Sequence, residues 1–241
     1  ESIDFLADRD GDGVSDANED LMGTDPGDAG SRPGTAVLDV MALYTPYVSE
    51  LYNGDPEARI LQELEWANQA LANSGIDARY RLVEARSADY TESIDINVAL
   101  DALQAREGVF EGIDAVMESA GADMLVLYLE DDPDDDICGL AFKNAEDRGG
   151  DFIGVDRTLV SAAVPAACRT KALAHELGHN LGLAHDAREE SKYGTFDWSR
   201  GHAVDNAFAT TMAYESNYGV IFDDIQYFSN PDVECPGGPC G

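Results

Sequence analysis

Residues 175 to 186 read HELGHNLGLAHD, and the residue types and their spacing are those of a metal site. On a helix, His175 and His179 stand one turn apart on one face, so both imidazoles can grip a single ion. Glu176 follows the first histidine. From there it can hold a water at the metal rather than bind the metal, which is where a hydrolase needs its general base. Gly182 comes three residues after His179, where a residue free to take positive φ can end the helix and send the chain back, so that His185 supplies a third nitrogen. Three neutral imidazoles leave a fourth position open. Zinc in such a site lowers the pKa of its water from about 15.7 to about 7 and polarises a scissile carbonyl. With only four histidines in 241 residues, the pattern has little competition from chance.

A second constellation opens the chain. Asp8, Asp10, Asp12, Asp16 and Glu19 supply oxygens at positions 1, 3, 5, 9 and 12 of a calcium loop, Val14 supplies a backbone carbonyl at 7, and Gly13 makes the turn. Five carboxylates brought together repel without a cation, so one or more structural Ca2+ ions are expected. The flanks are too short for two full helices and GTDP follows at 23 to 26, so the segment is more similar to a thrombospondin type 3 repeat than to a paired EF-hand. Asp20, Asp25 and Asp28 could serve a second ion.

Elements of regular spacing must carry these groups. The stretch SRPG at 31 to 34 reads as a linker, which sets residues 1 to 34 apart from a domain over 35 to 241. TAVLDVMALYT has the β-branched and apolar run of a buried strand, and a helix is predicted from Pro56 to Gly75 with Ile60, Leu64, Ala67 and Leu71 on one face. IDARYRLVEA alternates as a strand, INVALDALQAREG is helical, DMLVLYLE is a buried strand, and ICGLAFK and DFIGVD are short extended pieces. A helix is expected from about Arg169 to Leu183, then loops with one short helix around Phe222 to Phe228. Strands alternating with helices predict an α/β fold with a twisted, mostly parallel sheet.

Charge and cysteine content restrict the partners. Fifteen Lys and Arg against 48 Asp and Glu give a formal charge of -33, which disfavours nucleic acid and anionic membrane surfaces. The acidic residues are spread along the whole length, and a saline or calcium-rich setting would screen their repulsion. The longest apolar run, Met124 to Leu129, falls far short of the roughly 20 residues needed to span a bilayer. The chain opens at Glu1 without an initiating Met, which suggests a processed form. Cys138, Cys168, Cys235 and Cys240 are an even set without CxxC spacing, which favours disulfides and an extracellular location; sequence alone allows three connectivities.

HELGHNLGLAHD resembles the extended zinc signature of the metzincin metallopeptidases. That resemblance implies a methionine turn beneath the metal, and TTMAY at 210 to 214 supplies Met212. Asp186, directly after the third histidine, is similar to the reprolysin group, in which that residue is structural behind the methionine turn. Tyr214 looks like the astacin and serralysin pattern, in which such a tyrosine can ligate zinc and then stabilise the oxyanion; a plain packed aromatic is the other reading. The mixture resembles bacterial reprolysin-like secreted peptidases, including the peptidyl-Asp type, over roughly residues 35 to 231. The resemblance further implies that CGLAF at 138 to 142 forms the sheet edge, with Gly139, Leu140 and Ala141 offering backbone groups to an added antiparallel substrate strand. Proximity and resemblance together favour Cys138 with Cys168, closing a loop worth on the order of 3 to 4 kcal/mol, and Cys235 with Cys240. His202 reads as a surface or supporting residue. Arg169, Arg188 or Arg200 could serve a pocket for an acidic side chain, though salt bridging is the plainer role for each. The expected function is that of a secreted, monomeric zinc endopeptidase acting on proteins or peptides. The rival is a calcium-dependent adhesive or matrix-binding module with a silent zinc site, against which the intact Glu176 argues.

Overall fold

A computed structural model describes residues 9–11, 16, 23–31, 34–134, 137–152, 154–156, 158, 161–220 and 225–241. Asp8, Asp12, Val14, Glu19 and Asp20 of the expected calcium segment therefore lie outside the described residues. The chain divides into two compact units, Glu1–Ala36 and Val37–Gly241. In the first, Asp16 accepts hydrogen bonds from the Arg9 backbone N–H at 2.8 Å and from its guanidinium at 3.2 Å. Asp25 and Asp28 cap their own turns by accepting the N–H groups of Gly27 and Gly30.

The large unit is built on five strands: β1 (Ala36–Tyr44), β2 (Ala78–Ser87), β3 (Met124–Leu129), β4 (Leu140–Ala141) and β5 (Ser161–Pro165). Their order across the sheet is β2-β1-β3-β5-β4. β1 with β3 and β3 with β5 are parallel, while β4 closes the edge antiparallel to β5 through the pairs Leu140↔Ala163 and Ala141↔Ala162. Every residue of β3 is buried. Met124, Val126 and Tyr128 join the core on one face and Leu125, Leu127 and Leu129 the core on the other. A strand apolar at consecutive positions is what a sheet covered on both faces requires.

The helices supply those covers. α1 (Pro46–Leu51) is short, and α2 (Glu57–Asn73) buries Ile60, Leu64, Ala67 and Leu71 as their spacing predicted. α3 (Ile96–Ala105) and α4 (Ile113–Ala120) pack on the opposite face through Ala99, Leu100, Leu103 and Met117. α5 (Lys171–Asn180) lies with α2 on the first face and buries Leu173, Ala174 and Leu177 there.

Four differences from expectation concern local elements. α5 is shorter at both ends than the predicted span of 169 to 183. The segment 151–156 forms no strand in its described residues. Around the expected helix at 222 to 228, residues 221–224 lie outside the described set and 225–228 are not helical. Instead the Tyr227 carbonyl accepts the backbone N–H of Thr211, so a long-range bond takes the place of a helical one. β5 escaped the sequence reading because SAAVP has small side chains and no alternation. After α5 the described chain has only two-residue strand pairs, β6 (Ala203–Val204) with β7 (Phe208–Ala209) and β8 (Glu234–Cys235) with β9 (Gly238–Pro239), and a 3-10 turn at Glu215–Tyr218. The cysteines are joined as Cys138–Cys168 and Cys235–Cys240.

Candidate metal centre and cleft

α5 carries His175 and His179 one turn apart, as the spacing required, and Gly182 then takes φ +83°, turning the chain after the helix. A side chain at 182 would also collide with Thr195 and the Asn144 carbonyl, so the turn is packed as well as bent. His185 returns to the helix. Its Nε2 lies 3.0 Å from that of His179 and 3.1 Å from that of His175.

Hydrogen bonding at the far side of the rings decides what these nitrogens can do. His175 Nδ1 meets the Thr211 carbonyl at 2.8 Å and His179 Nδ1 the Leu183 carbonyl at 2.8 Å. A carbonyl only accepts, so each Nδ1 carries the proton and each Nε2 is left with its lone pair. His185 Nδ1 faces the Glu190 carboxylate at 3.5 Å, which imposes the same tautomer. Burial, with His179 contributing, holds His175 well below the usual imidazole range; burial lowers His179 to about 4 and also lowers His185. Three lone pairs turned toward one point repel each other unless a cation sits among them. Nitrogens at zinc's bond length of about 2.0–2.1 Å lie about 3.3 Å apart on a tetrahedron, near the spacing observed. The donor set fits zinc, and among the described residues it is the only cluster of potential ligands of this kind.

Other residues that the sequence singled out stand around this cluster. Glu176 is 5% exposed, and burial pushes its carboxyl up to about 8. A bound cation would favour the ionised form. Gly139 runs so close to Glu176 that a Cβ there would stand 2.6 Å from the carboxyl carbon, so only glycine lets the edge segment pass over the acid. Met212 packs beneath the helix against Gly178. Tyr214 stands edge-on to His185 and His175, with ring centres 4.9 and 5.9 Å away. Burial and the nearby Glu176 raise its phenol above the ordinary value.

Asp186 is fully buried behind this turn. It accepts the Tyr214 N–H at 3.0 Å, the Arg188 and Glu189 N–H groups at 2.8 and 3.2 Å, and the Tyr218 hydroxyl at 2.9 Å. Burial alone would push its carboxyl up, yet these donors hold it below the usual range. His202 is half-buried and its ring lies beside Phe208, away from the histidine cluster's bonds. Arg188 pairs with Asp205 at 2.6 Å, and Arg200 donates to the Glu190 and Lys192 carbonyls.

Several contributors carry no sequence signal. Glu190 faces His185 and is itself held by Lys143 at 2.5 Å. Asn180 donates to the Phe142 and Ser161 carbonyls at 3.1 Å, tying the end of α5 to the edge strand. A cleft of about 420 Å³ opens beside His175 and Glu176, bordered by residues 137–139 and by Arg169, Lys171, Tyr214 and Glu215.

An α/β sheet bearing three converging imidazoles and a buried carboxyl at one end of a cleft defines a metal-dependent hydrolase site. Residues 34–229 match the reprolysin-like model of metallo-peptidase family M12, and the chain belongs to that family. It is 33% identical over 223 residues to a peptidyl-Asp metalloendopeptidase of Pseudomonas aeruginosa, covering 85% of this chain and 36% of that protein. A peptidyl-Asp metalloendopeptidase of Xanthomonas campestris is 25% identical over 214 residues, covering 88% of this chain and 48% of that one. The chain thus spans less than half the length of either relative. A solved chain from a chaperone–substrate complex shares the fold with a TM-score of 0.65 at 20% identity, over 86% of this chain and 31% of that one.

Proposed function

We propose that the chain is a zinc endopeptidase in which His175, His179 and His185 hold the ion and Glu176 is the general base. The observation that carries this reading is the convergence of three Nε2 lone pairs, each fixed by an acceptor at Nδ1, next to a buried carboxyl. Zinc, when bound, acidifies water and polarises a carbonyl oxygen. Glu176 takes the proton from the attacking water as its oxygen adds to the carbonyl carbon. It then returns that proton to the departing amine nitrogen as the C–N bond breaks. The Tyr214 hydroxyl, at the rim of the histidine cluster, donates to the oxyanion. Leu140 and Ala141, on the open side of the sheet edge, pair with substrate as an added antiparallel strand, and Gly139 keeps that strand against Glu176. Met212 and Asp186 support the turn that presents Tyr214.

Two disulfides support secretion, and among the described residues no helix is long and apolar enough to cross a membrane. We take the protein to act as a monomer. Calcium in the opening segment rests on the spacing of its acidic residues; because Arg9 occupies the Asp16 carboxylate, an ion would have to displace it. Calcium titration of the whole chain beside Asp10→Ala and Asp16→Ala checks this, and unchanged heats would remove the assignment.

A peptide-library digest tests the central reading. Glu176→Gln should keep zinc, measured by metal analysis, and lose on the order of 10²- to 10⁴-fold in kcat/KM. Equal cutting by both proteins would reject the assigned base.

A further inference from the structure

α2 carries a charged pair where the packing of a helix on a sheet does not call for one. Glu63, its side chain 2% exposed, pairs with Arg59 at 2.7 Å and accepts the Tyr128 hydroxyl of β3 at 2.7 Å. Desolvation offsets much of the attraction in a buried pair of this kind, so it is a poor source of stability. What it does produce is a guanidinium fixed in place. The Arg59 nitrogen that meets Glu63 also donates to the Cys168 carbonyl at 3.0 Å, so one atom joins an interior carboxylate to the segment entering α5.

That segment is tied in turn to the cleft. Tyr52 donates to the Ala166 carbonyl at 2.8 Å and Asp131 accepts the Ala167 N–H at 3.2 Å, while Arg59 holds the carbonyl of Cys168. The Cys138–Cys168 bridge keeps the two Cα atoms 5.4 Å apart, so a shift of Cys168 carries Cys138 with it. Cys138 adjoins Gly139, which lies too close to Glu176 to carry a side chain, and residues 137–139 border the cleft. The pairing of β4 with β5 reaches only Leu140 and Ala141, so this stretch lies beyond the ladder and takes its position from such ties. A substrate strand added antiparallel to β4 runs past it toward the substrate's own C-terminus.

We propose that Arg59, held by Glu63, is a positioning residue for the peptidase reaction: through the Cys168 carbonyl and the disulfide it fixes the stretch 137–139, which receives the part of the substrate after the cut bond. The proposal rests on the peptidase reading for the direction of that substrate. Neither Arg59 nor Glu63 borders the cleft. Glu176 itself is placed by α5, whose Leu173, Ala174 and Leu177 are anchored in the core, so the effect falls on binding rather than on bond breaking.

The test compares peptides that share one cut bond and carry a short or a long extension after it. Arg59→Met should raise KM for the long peptide about tenfold, the size of one charge-assisted hydrogen bond, with little change in kcat or in KM for the short one. Because it also strands the Glu63 charge, it should lower the melting temperature. Arg59→Met combined with Glu63→Gln removes that charge and leaves Tyr128 an acceptor, so it should recover most of the melting temperature while the KM defect persists. Recovery of both would reduce the pair to a stability element and overturn the positioning role. Arg59→Lys can place its ammonium where the one bridging nitrogen stands and should restore KM; a defect as large as in Arg59→Met overturns the bridge. An activity-free readout is the rate at which a phosphine reduces Cys138–Cys168, followed by alkylation and mass spectrometry, with Cys235–Cys240 as the internal control. That rate should rise in both Arg59→Met proteins at Cys138–Cys168 alone, and an unchanged rate overturns the tie. If wild type cuts no peptide yet the rate still depends on Arg59, the peptidase reading fails and the tie to the cleft stands.

Discussion

The strands β1, β3 and β5 and the chain beyond residue 181 lie in one unit but are held by different forces. β3 is buried at every position and on both faces, and apart from the Tyr128 hydroxyl its side chains are apolar, so its place is set mainly by nonpolar burial. From 181 onward, regular structure shrinks to two-residue pairs among the described residues. That part depends on directed contacts: four donors on Asp186, His185 returning to α5, close approaches at Gly194 and Gly201, and the Cys235–Cys240 bridge. Burial tolerates exchange of one apolar residue for another, whereas a directed network fails at its weakest member. The half that presents His185 and Tyr214 is thus the half whose order a metal ion should reinforce.

Metal removal probes that contrast most strongly. Zinc at a thousandfold excess over its dissociation constant adds about 4 kcal/mol to the folded state. Chelation should therefore lower the melting temperature, and hydrogen exchange should rise first at 183–218 while β3 stays protected. Uniform loss of protection would erase the distinction between the halves.

Leu127→Ala attacks the other side. A truncated leucine in a core of this kind costs about 2–5 kcal/mol, read from denaturant midpoints, and both halves should unfold together because the loops stand on the sheet. Loss of zinc affinity without loss of global stability would contradict it.

Glu63 sharpens the picture of the apolar half, since it is the buried charge there. It pairs with Arg59 at 2.7 Å and accepts the Tyr128 hydroxyl at 2.7 Å, yet burial outweighs both partners and pushes its carboxyl up to about 7. A carboxyl raised on folding binds more protons folded than unfolded. Its contribution is therefore most favourable below about pH 4.5 and is lost as pH rises through about 7. Across that window the stability difference between wild type and Glu63→Gln should shift toward the variant, by up to about 3 kcal/mol. A flat difference curve would show that Arg59 compensates the charge fully.

Asp186→Asn is the smallest change and the most local. It should cost about 1–3 kcal/mol, concentrated in faster exchange at the Tyr214 and Arg188 amides with β1 and β3 unaffected. Its folded carboxyl lies below the ordinary value, so the wild-type advantage should be present at neutral pH and fade as pH falls through the acid range.

His175, Glu176, His179, Gly182 and His185 could be read from the sequence because helical spacing and one turn nearly determine their geometry. β3 and α2 could be read because periodicity is a local property. β5 could not: SAAVP has neither alternation nor bulk, and becomes a strand only because β3 offers it a parallel neighbour. The same limit hid Glu190 behind His185 and Asn180 under the edge strand, since both act on groups brought near by the fold rather than by position along the chain.

The order of residues alone determined that three imidazoles and an acid would share one helix and its following turn, because those distances are set by helical rise and a single reversal. Only the tertiary structure decided which carbonyls fix the imidazole protons, that Gly139 must lie against Glu176, and that Lys171 and Glu215 meet at one cleft. These pairings join segments tens of residues apart, where chain connectivity imposes almost no constraint and packing selects the partner.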